Sequence, residues 1–189
     1  AWHEYGMRQG YWRFIKCLND RDIKATLAIN GLACTTYKEA VEAAIESDWE
    51  FLGHGFDQRP THYVTNQEKM IKSTMDSIKN ASGKLPRGWE SPGITETVDT
   101  IDNLKKMGID YVCNWICDDV PFTINTNNGP IVSLPYTVDL NDVVLNTIEK
   151  KPSSELYTRG VDHFDRLYQE SDEEPRFMAI AIHPYLTGV

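Results

Sequence analysis

The sequence predicts an α/β fold, a (β/α) barrel with a mainly parallel sheet and helices outside it, on two observations. Stretches with helical spacing of apolar residues alternate with short apolar runs almost throughout the 189 residues. Those apolar runs also end in polar residues on their C-terminal side, where barrel enzymes carry their catalytic groups.

The elements follow in order. Tyr11, Phe14, Ile15 and Leu18 repeat at helical spacing, and the run Ala25 to Ile29 suits a buried strand. Tyr37, Ala40, Val41, Ala44 and Ile45 mark the next helix, which leads into a strand from Trp49 to His54. A helix over 66–81 carries Met70, Thr74, Met75 and Ile78 on one stripe, with Thr65 as its N-cap and Glu68 three residues on. Pro86 introduces a short extended piece from Arg87 to Glu90. Val98, Ile101, Leu104 and Lys105 continue the helical rhythm up to Gly108, and Ile109 to Trp115 is expected as a strand. Asn127-Asn128-Gly129-Pro130 forms a turn before a strand from Ile131 to Leu134. Leu156, Gly160, Val161, Phe164, Leu167 and Tyr168 outline a long amphipathic helix, and Phe177 to Ile182 is expected as a last apolar strand.

Composition narrows the function. At 41% apolar residues the chain can bury one sizeable core, so a single domain over 1–189 is expected. With 19 basic against 28 acidic residues the net charge is −9, which opposes binding to a phosphate backbone and argues against nucleic acid as partner. No apolar stretch approaches the ~20 residues that cross a bilayer, and no basic-then-apolar leader is visible, so a soluble, cytoplasmic protein without a membrane partner is expected. Cys17, Cys34, Cys113 and Cys117 are too sparse for a disulfide scaffold and are expected as reduced thiols. The chain opens at Ala1-Trp2 without an initiator Met and stops just past an apolar run, whereas a (β/α) barrel typically needs ~250 residues, so truncation at both ends is expected.

The polar residues that end the apolar runs are Asn30, His54, Glu90, the pair Asp118 and Asp119, and His183, and they are expected to converge on one rim. Each has a plainer role open to it. A lone histidine can serve a neighbouring loop by hydrogen bonding, although two at equivalent strand ends are harder to dismiss. One of Asp118 and Asp119 can start the turn at Val120-Pro121, leaving the other to orient a histidine. Trp89 and Trp115 can fill the barrel or form a flat wall for a ligand, and Glu90 can pair with Arg87.

These residues carry a resemblance. His54-Gly55-Phe56, Pro86-Arg87-Gly88-Trp89-Glu90-Ser91-Pro92-Gly93 and Ile180-Ala181-Ile182-His183-Pro184 resemble successive active-site motifs of the polysaccharide deacetylase family, the nodulation-deacetylase homology fold. Glu4-Tyr5-Gly6-Met7-Arg8, Asn114-Trp115 with Asp118-Asp119-Val120-Pro121, and Val132 to Tyr136 with Asn141-Asp142 are similar to the branch that includes the cofactor-free bacterial allantoinases. The resemblance runs over essentially the whole chain. It implies a distorted barrel and a hydrolase of non-peptide carbon–nitrogen bonds. In the deacetylases one Asp and two His hold a divalent metal whose water attacks an acetamide, while another histidine protonates the departing amine. On that pattern His54 matches the first metal histidine and His183 the general acid. Arg87 falls in the motif that lines the groove.

The sequence departs from the pattern four residues after His54, where Gln58 stands in place of the second metal histidine; its neutral amide is a poor zinc ligand. The metal-binding Asp belongs upstream of Trp2. His62 is expected in a solvated turn after Pro60. The leading expectation is therefore hydrolysis of a small amide or ureide such as allantoin without a cofactor. The catalytic residues on this reading are His54, His183, Asp118, Asp119 and Glu4, with Asp118 or Asp119 orienting a histidine. Asn30, Arg87, Trp89, Glu90, Trp115, Tyr136 and Pro184 are expected to bind substrate. The alternatives are a zinc- or other metal-dependent deacetylase of N-acetylated sugars, in which His54 is a ligand, and an inactive carbohydrate- or ureide-binding barrel. The resemblance further implies a homo-oligomer.

Overall fold

The computed structural model describes residues 2–189. Along the chain run α1 (Trp2–Tyr5), α2 (Tyr11–Asn19), β1 (Thr26–Ile29), α3 (Gly31–Thr36), α4 (Lys38–Glu46), β2 (Glu50–Gly53), α5 (Gln67–Ser82), β3 (Gly88–Trp89), α6 (Thr100–Lys106), β4 (Tyr111–Val112), β5 (Phe122–Thr126), β6 (Gly129–Ser133) and α7 (Glu155–Glu170). They fall into two compact units. One comprises Leu18–Trp115 and Phe122–Leu134; the other comprises residues 2–17, Ile116–Pro121 and Pro135–Val189.

The first unit holds a six-stranded sheet in the order β1-β2-β3-β4-β6-β5. The pairs from β1 to β4, and β4 with β6, are parallel, and only the β5–β6 hairpin is antiparallel. Strands that lie side by side in chain order, without reversal, wind in one direction as in a (β/α) barrel; a doubly wound sheet changes direction at a switch point. Alternation along each strand sorts the two faces. Trp89, Val112 and Ile131 pack with Ile71 and Met75 of α5 and with Ile101 and Leu104 of α6. On the other face the Tyr111 hydroxyl donates to Glu50 at 2.7 Å, and Thr26 also bonds Glu50. The same period carries Asn30, His54, Glu90 and Cys113 onto that second face, just past the strand ends.

The expected helices over 11–18, 37–45, 66–81, 98–105 and 156–168 correspond to α2, α4, α5, α6 and α7, while the expected strands are shorter than their apolar runs. Three expectations are corrected. The N-cap of α5 is Asn66, whose Oδ1 accepts from the Lys69 amide, because a carboxamide one residue nearer the helix takes the role assigned to Thr65. The turn at 127–130 is a hairpin whose first strand, β5, has no continuous apolar run to betray it. Residues 177–182 form no strand: one parallel bridge joins Ala181 to Asn141, through bonds to Leu140 and Asp142, and the bridge is flanked by a 3₁₀ turn that presents no further backbone for a ladder.

In the second unit, Tyr11, Tyr136, Leu140, Leu145 and Leu167 are buried. The Arg13 guanidinium donates to the Gly188 carbonyl at 2.8 Å. No helix of the described residues is long and apolar enough to cross a membrane.

One close approach matters for the site. A Cβ on Gly53 would lie 2.4 Å from Cε3 of the buried Trp89 ring, and one on Gly88 would lie 2.2 Å from the Tyr111 ring. Gly53→Ala is therefore expected to lower the urea unfolding midpoint, corresponding to a loss of about 1–3 kcal/mol from overpacking.

Candidate active site

In the sheet unit the parallel register sets Gly53 beside Trp89, so the residues that follow each strand are neighbours. The half-buried His54 places Nδ1 2.8 Å from the Glu90 carbonyl oxygen. A carbonyl only accepts, so Nδ1 carries the proton and the neutral ring has its lone pair on Nε2. The Gln58 amide nitrogen lies 3.3 Å from Nε2 and donates to it. Asn30 holds the other side of the residue, its amide donating to the His54 carbonyl. Asn30, His54 and Glu90 are thus brought together as expected, although Glu90 holds the imidazole through its backbone.

Behind them is a buried polar cluster that sequence reasoning left off the site. The Asn114 Oδ1 accepts from the Ser91 amide at 2.7 Å, and its Nδ2 donates to Ser91 Oγ at 3.3 Å and to Glu96 Oε1. The Trp89 indole donates to the same Ser91 hydroxyl at 3.1 Å. Burial pushes the Glu96 carboxyl up to about 7, against the lowering effect of the Asn114 amide. The loop between Ser91 and Glu96 also carries two successive left-handed residues, Gly93 (φ 67°) and Ile94 (φ 55°). The second is a β-branched residue in a costly conformation that the surrounding bonds must hold.

In the other unit His183 is held by Asp142. The Asp142 carboxylate is fully buried and accepts from His183 Nδ1 at 2.6 Å, from the His183 amide at 2.8 Å and from the Thr187 hydroxyl at 2.7 Å. The ring remains 37% exposed, with Nε2 as its available nitrogen. Tyr185 lies beside it, ring centroids 5.7 Å apart, and stacks on His3 at 4.3 Å. Burial, with Asp142 nearby, raises the Tyr185 phenol above its ordinary range.

Several expected site residues have other work. The carboxylate that orients a histidine is Asp142, and neither Asp118 nor Asp119. Asp118 accepts from the Val120 amide at 3.1 Å and makes the turn, while the Asp119 carbonyl accepts from the Phe177 amide. Arg87 precedes β3, at the end of the strand away from His54, and its guanidinium binds Asp110 at 2.7 Å, so it does not line the groove beyond the strand ends. Trp89 is fully buried against α5 and α6 and offers no wall to a ligand. Tyr136 is 8% exposed and its hydroxyl accepts from Asn141, which makes it a packing residue. Glu4 pairs with Arg8 one helical turn on, at an exposed surface. The Pro184 carbonyl is packed where only glycine fits, 1.9 Å from where a Cβ on Gly10 would stand. Trp115, 43% exposed, keeps a face available. His62 lies exposed in a 3₁₀ turn after Pro60, as expected.

Among the described residues, the donor set around His54 does not make up a divalent-metal site. A tight site needs several imidazole, thiolate or carboxylate groups, and the position one such ligand would take holds a carboxamide that points its N–H at the imidazole. Among the described residues no three His, Cys, Asp or Glu side chains gather in a metal-binding group.

The raised Glu96 carboxyl has a consequence for stability. Its folded-state value of about 7 lies above the ordinary 4.5, so between those limits the folded chain keeps a proton that the unfolded chain releases. Its contribution is fully favourable below pH 4.5 and is lost as pH rises to about 7. Unfolding in urea across pH 4 to 8 is expected to show this fall in wild type and a flatter profile in Glu96→Gln.

The sequence profile described as polysaccharide deacetylase matches residues 3–112. A putative polysaccharide deacetylase of Schizosaccharomyces pombe is 25% identical over 98% of this chain and 64% of its own length. Among solved structures, Puue allantoinase superposes with a TM-score of 0.89 at 25% identity, covering 98% of this chain and 63% of that one. A probable polysaccharide deacetylase from Pseudomonas aeruginosa PAO1 gives 0.85 at 25% identity, with the same coverage. The chain therefore spans under two thirds of the length of these proteins. The profile match covers more than half of the sequence and the strand order agrees with it: the chain belongs to the polysaccharide deacetylase family and has its distorted (β/α)-barrel fold.

Proposed function

We propose that the chain hydrolyses a carbon–nitrogen bond in a small non-peptide amide, a ureide such as allantoin, using imidazoles in place of a bound metal. The observation that carries this reading is Gln58, whose amide donates to His54 Nε2 where a second metal-binding histidine would be needed. The likeness to a solved allantoinase supports the substrate class.

Hydrolysis needs a group to take a proton from water as its oxygen bonds to the carbonyl carbon, and a group to give a proton to the nitrogen as the carbon–nitrogen bond breaks. His54 is locked in the tautomer that leaves Nε2 able to accept, and the Gln58 N–H is what an incoming water displaces there. His183 has the same arrangement with a carboxylate behind it, and Asp142 stands ready beside the positive charge that proton uptake puts on the ring. Each imidazole has a ring nitrogen placed to take up or give a proton. Trp115 offers an exposed aromatic face to a planar ureide.

A metal-dependent deacetylase of N-acetylated sugars is the second reading, favoured by the family itself. Purified protein is to be assayed on allantoin and on acetylated chito-oligosaccharides, with and without chelator and added zinc. Ureide hydrolysis that resists chelation is expected, and both His54→Gln and His183→Gln should lower kcat by roughly 10²- to 10⁴-fold. Acetate release that depends on zinc would replace this reading with the second. A binding signal with no turnover of any amide would remove both.

A further inference from the structure

We infer that Glu96 is a positioning residue for His54, acting through a continuous chain of hydrogen bonds that runs across one peptide group and one side-chain amide. The inference rests on the proposed catalytic role of His54 and adds the groups behind it.

The chain is built from three bonds that all point the same way. His54 Nδ1–H donates to the Glu90 carbonyl at 2.8 Å. That carbonyl shares its peptide group with the Ser91 N–H, which donates to Asn114 Oδ1 at 2.7 Å. The Asn114 Nδ2–H then donates to Glu96 Oε1. Each amide receives at its oxygen and donates from its nitrogen, so polarisation at one end adds along the whole sequence and reaches the other. Only one orientation of the Asn114 amide serves, because a peptide N–H must meet its oxygen and a carboxylate must meet its nitrogen.

Burial protects the chain. Ser91 is fully buried and Asn114 is 6% exposed, so water does not short-circuit the middle links. No charged side chain competes at its far end, since the Glu96 carboxyl is governed by burial and by the Asn114 amide alone. The other titratable groups near the chain are the Glu90 carboxylate and the Cys113 thiol. Burial pushes that thiol up to about 12, with further help from Glu90 and Glu50, which leaves it neutral. An anionic Glu96 therefore draws proton density along the chain away from His54 Nδ1. This fixes the imidazole tautomer and supports positive charge on the ring when Nε2 takes a proton. The remote carboxylate does through two amides what a carboxylate in direct contact does for other histidines.

The test is nuclear magnetic resonance of the ¹⁵N-labelled chain, with His54→Gln used to assign the His54 ring signals. In wild type the Nδ1 signal is expected to move between pH 5 and 8 with a component whose midpoint matches that of Glu96, about 7. Glu96→Gln keeps the acceptor for Asn114 and removes only the charge. It is expected to abolish that component and to lower kcat about 10-fold with KM unchanged. Identical His54 curves in wild type and Glu96→Gln would overturn the inference, whatever the substrate proves to be. Should Glu96→Gln not fold, the ¹³C carboxyl signal of Glu96 in wild type decides. A shared midpoint with His54 Nδ1 supports the chain of bonds, and independent midpoints overturn it. Loss of activity on every amide with the spectroscopic coupling intact would discard the proposed reaction and keep the relay.

Discussion

The parallel pairing of β2 with β3, with Gly53 beside Trp89, is the constraint on which the surroundings of His54 depend. In a parallel ladder each strand end leaves backbone groups that the next residues must satisfy, and the connections depart from the same edge. Here the Glu90 amide still bonds Gly53, and the very next carbonyl finds His54 Nδ1. The register is held by shape: Gly53 has no side chain where the Trp89 ring lies, and Gly88 none where the Tyr111 ring lies. A shift of one residue would turn His54 toward the helices and Trp89 toward solvent.

The two histidines are held by different chemistry. Asp142 gives His183 a full charge in direct contact, and the same carboxylate ties the His183 amide and the Thr187 hydroxyl. His54 receives the neutral Glu90 carbonyl, with the Glu96 carboxyl two amides further on. A buried carboxylate is stable when several donors surround it, as at Asp142; one with a single amide donor holds on to its proton more readily, as Glu96 does. Direct pairing puts a carboxylate against its histidine, whereas the chain of bonds behind His54 ends on a distant acid whose carboxyl is raised by burial.

Much of the fold was legible because periodicity reports burial. The helices α2, α4, α5, α6 and α7 announced themselves by apolar spacing, and the strands that form β1, β2 and β4 by apolar runs, whereas the short α1 and α3 did not. The run at 177–182 misled because apolar character marks burial and not pairing: most of its residues are half-buried, but their backbone bonds, Phe177 to Asp119 and Ala181 to Leu140 and Asp142, are too scattered for a ladder. At the site, His54 and His183 were visible as polar breaks after apolar runs. Asp142 stood in a resembling motif, but its pairing with His183 was not visible, since 41 residues separate them and no spacing rule connects them. The bonds that tie Asn114 to Ser91 and Glu96 were hidden for a similar reason, as they run through a peptide group that carries no sequence signal. Arg87 and Trp89 looked functional because they flank a motif; the strand's direction puts the first at the wrong end and its pleat puts the second on the wrong face.

Gln58 bears on what the frame around His54 can hold. A histidine that serves as metal ligand and one that serves as base need the same thing, a free lone pair on Nε2, and the Glu90 carbonyl provides for both by taking the proton on Nδ1. What separates the two uses is the partner in front of Nε2. A second imidazole or carboxylate adds a lone pair and draws a cation; a carboxamide turned to donate adds a proton and repels one. The Gln58 N–H at 3.3 Å does the latter, with a long, weak bond that a water or a substrate oxygen can replace. A change at one position on a loop therefore alters what stands in front of Nε2 without altering the strand that carries the histidine or the carbonyl that holds it.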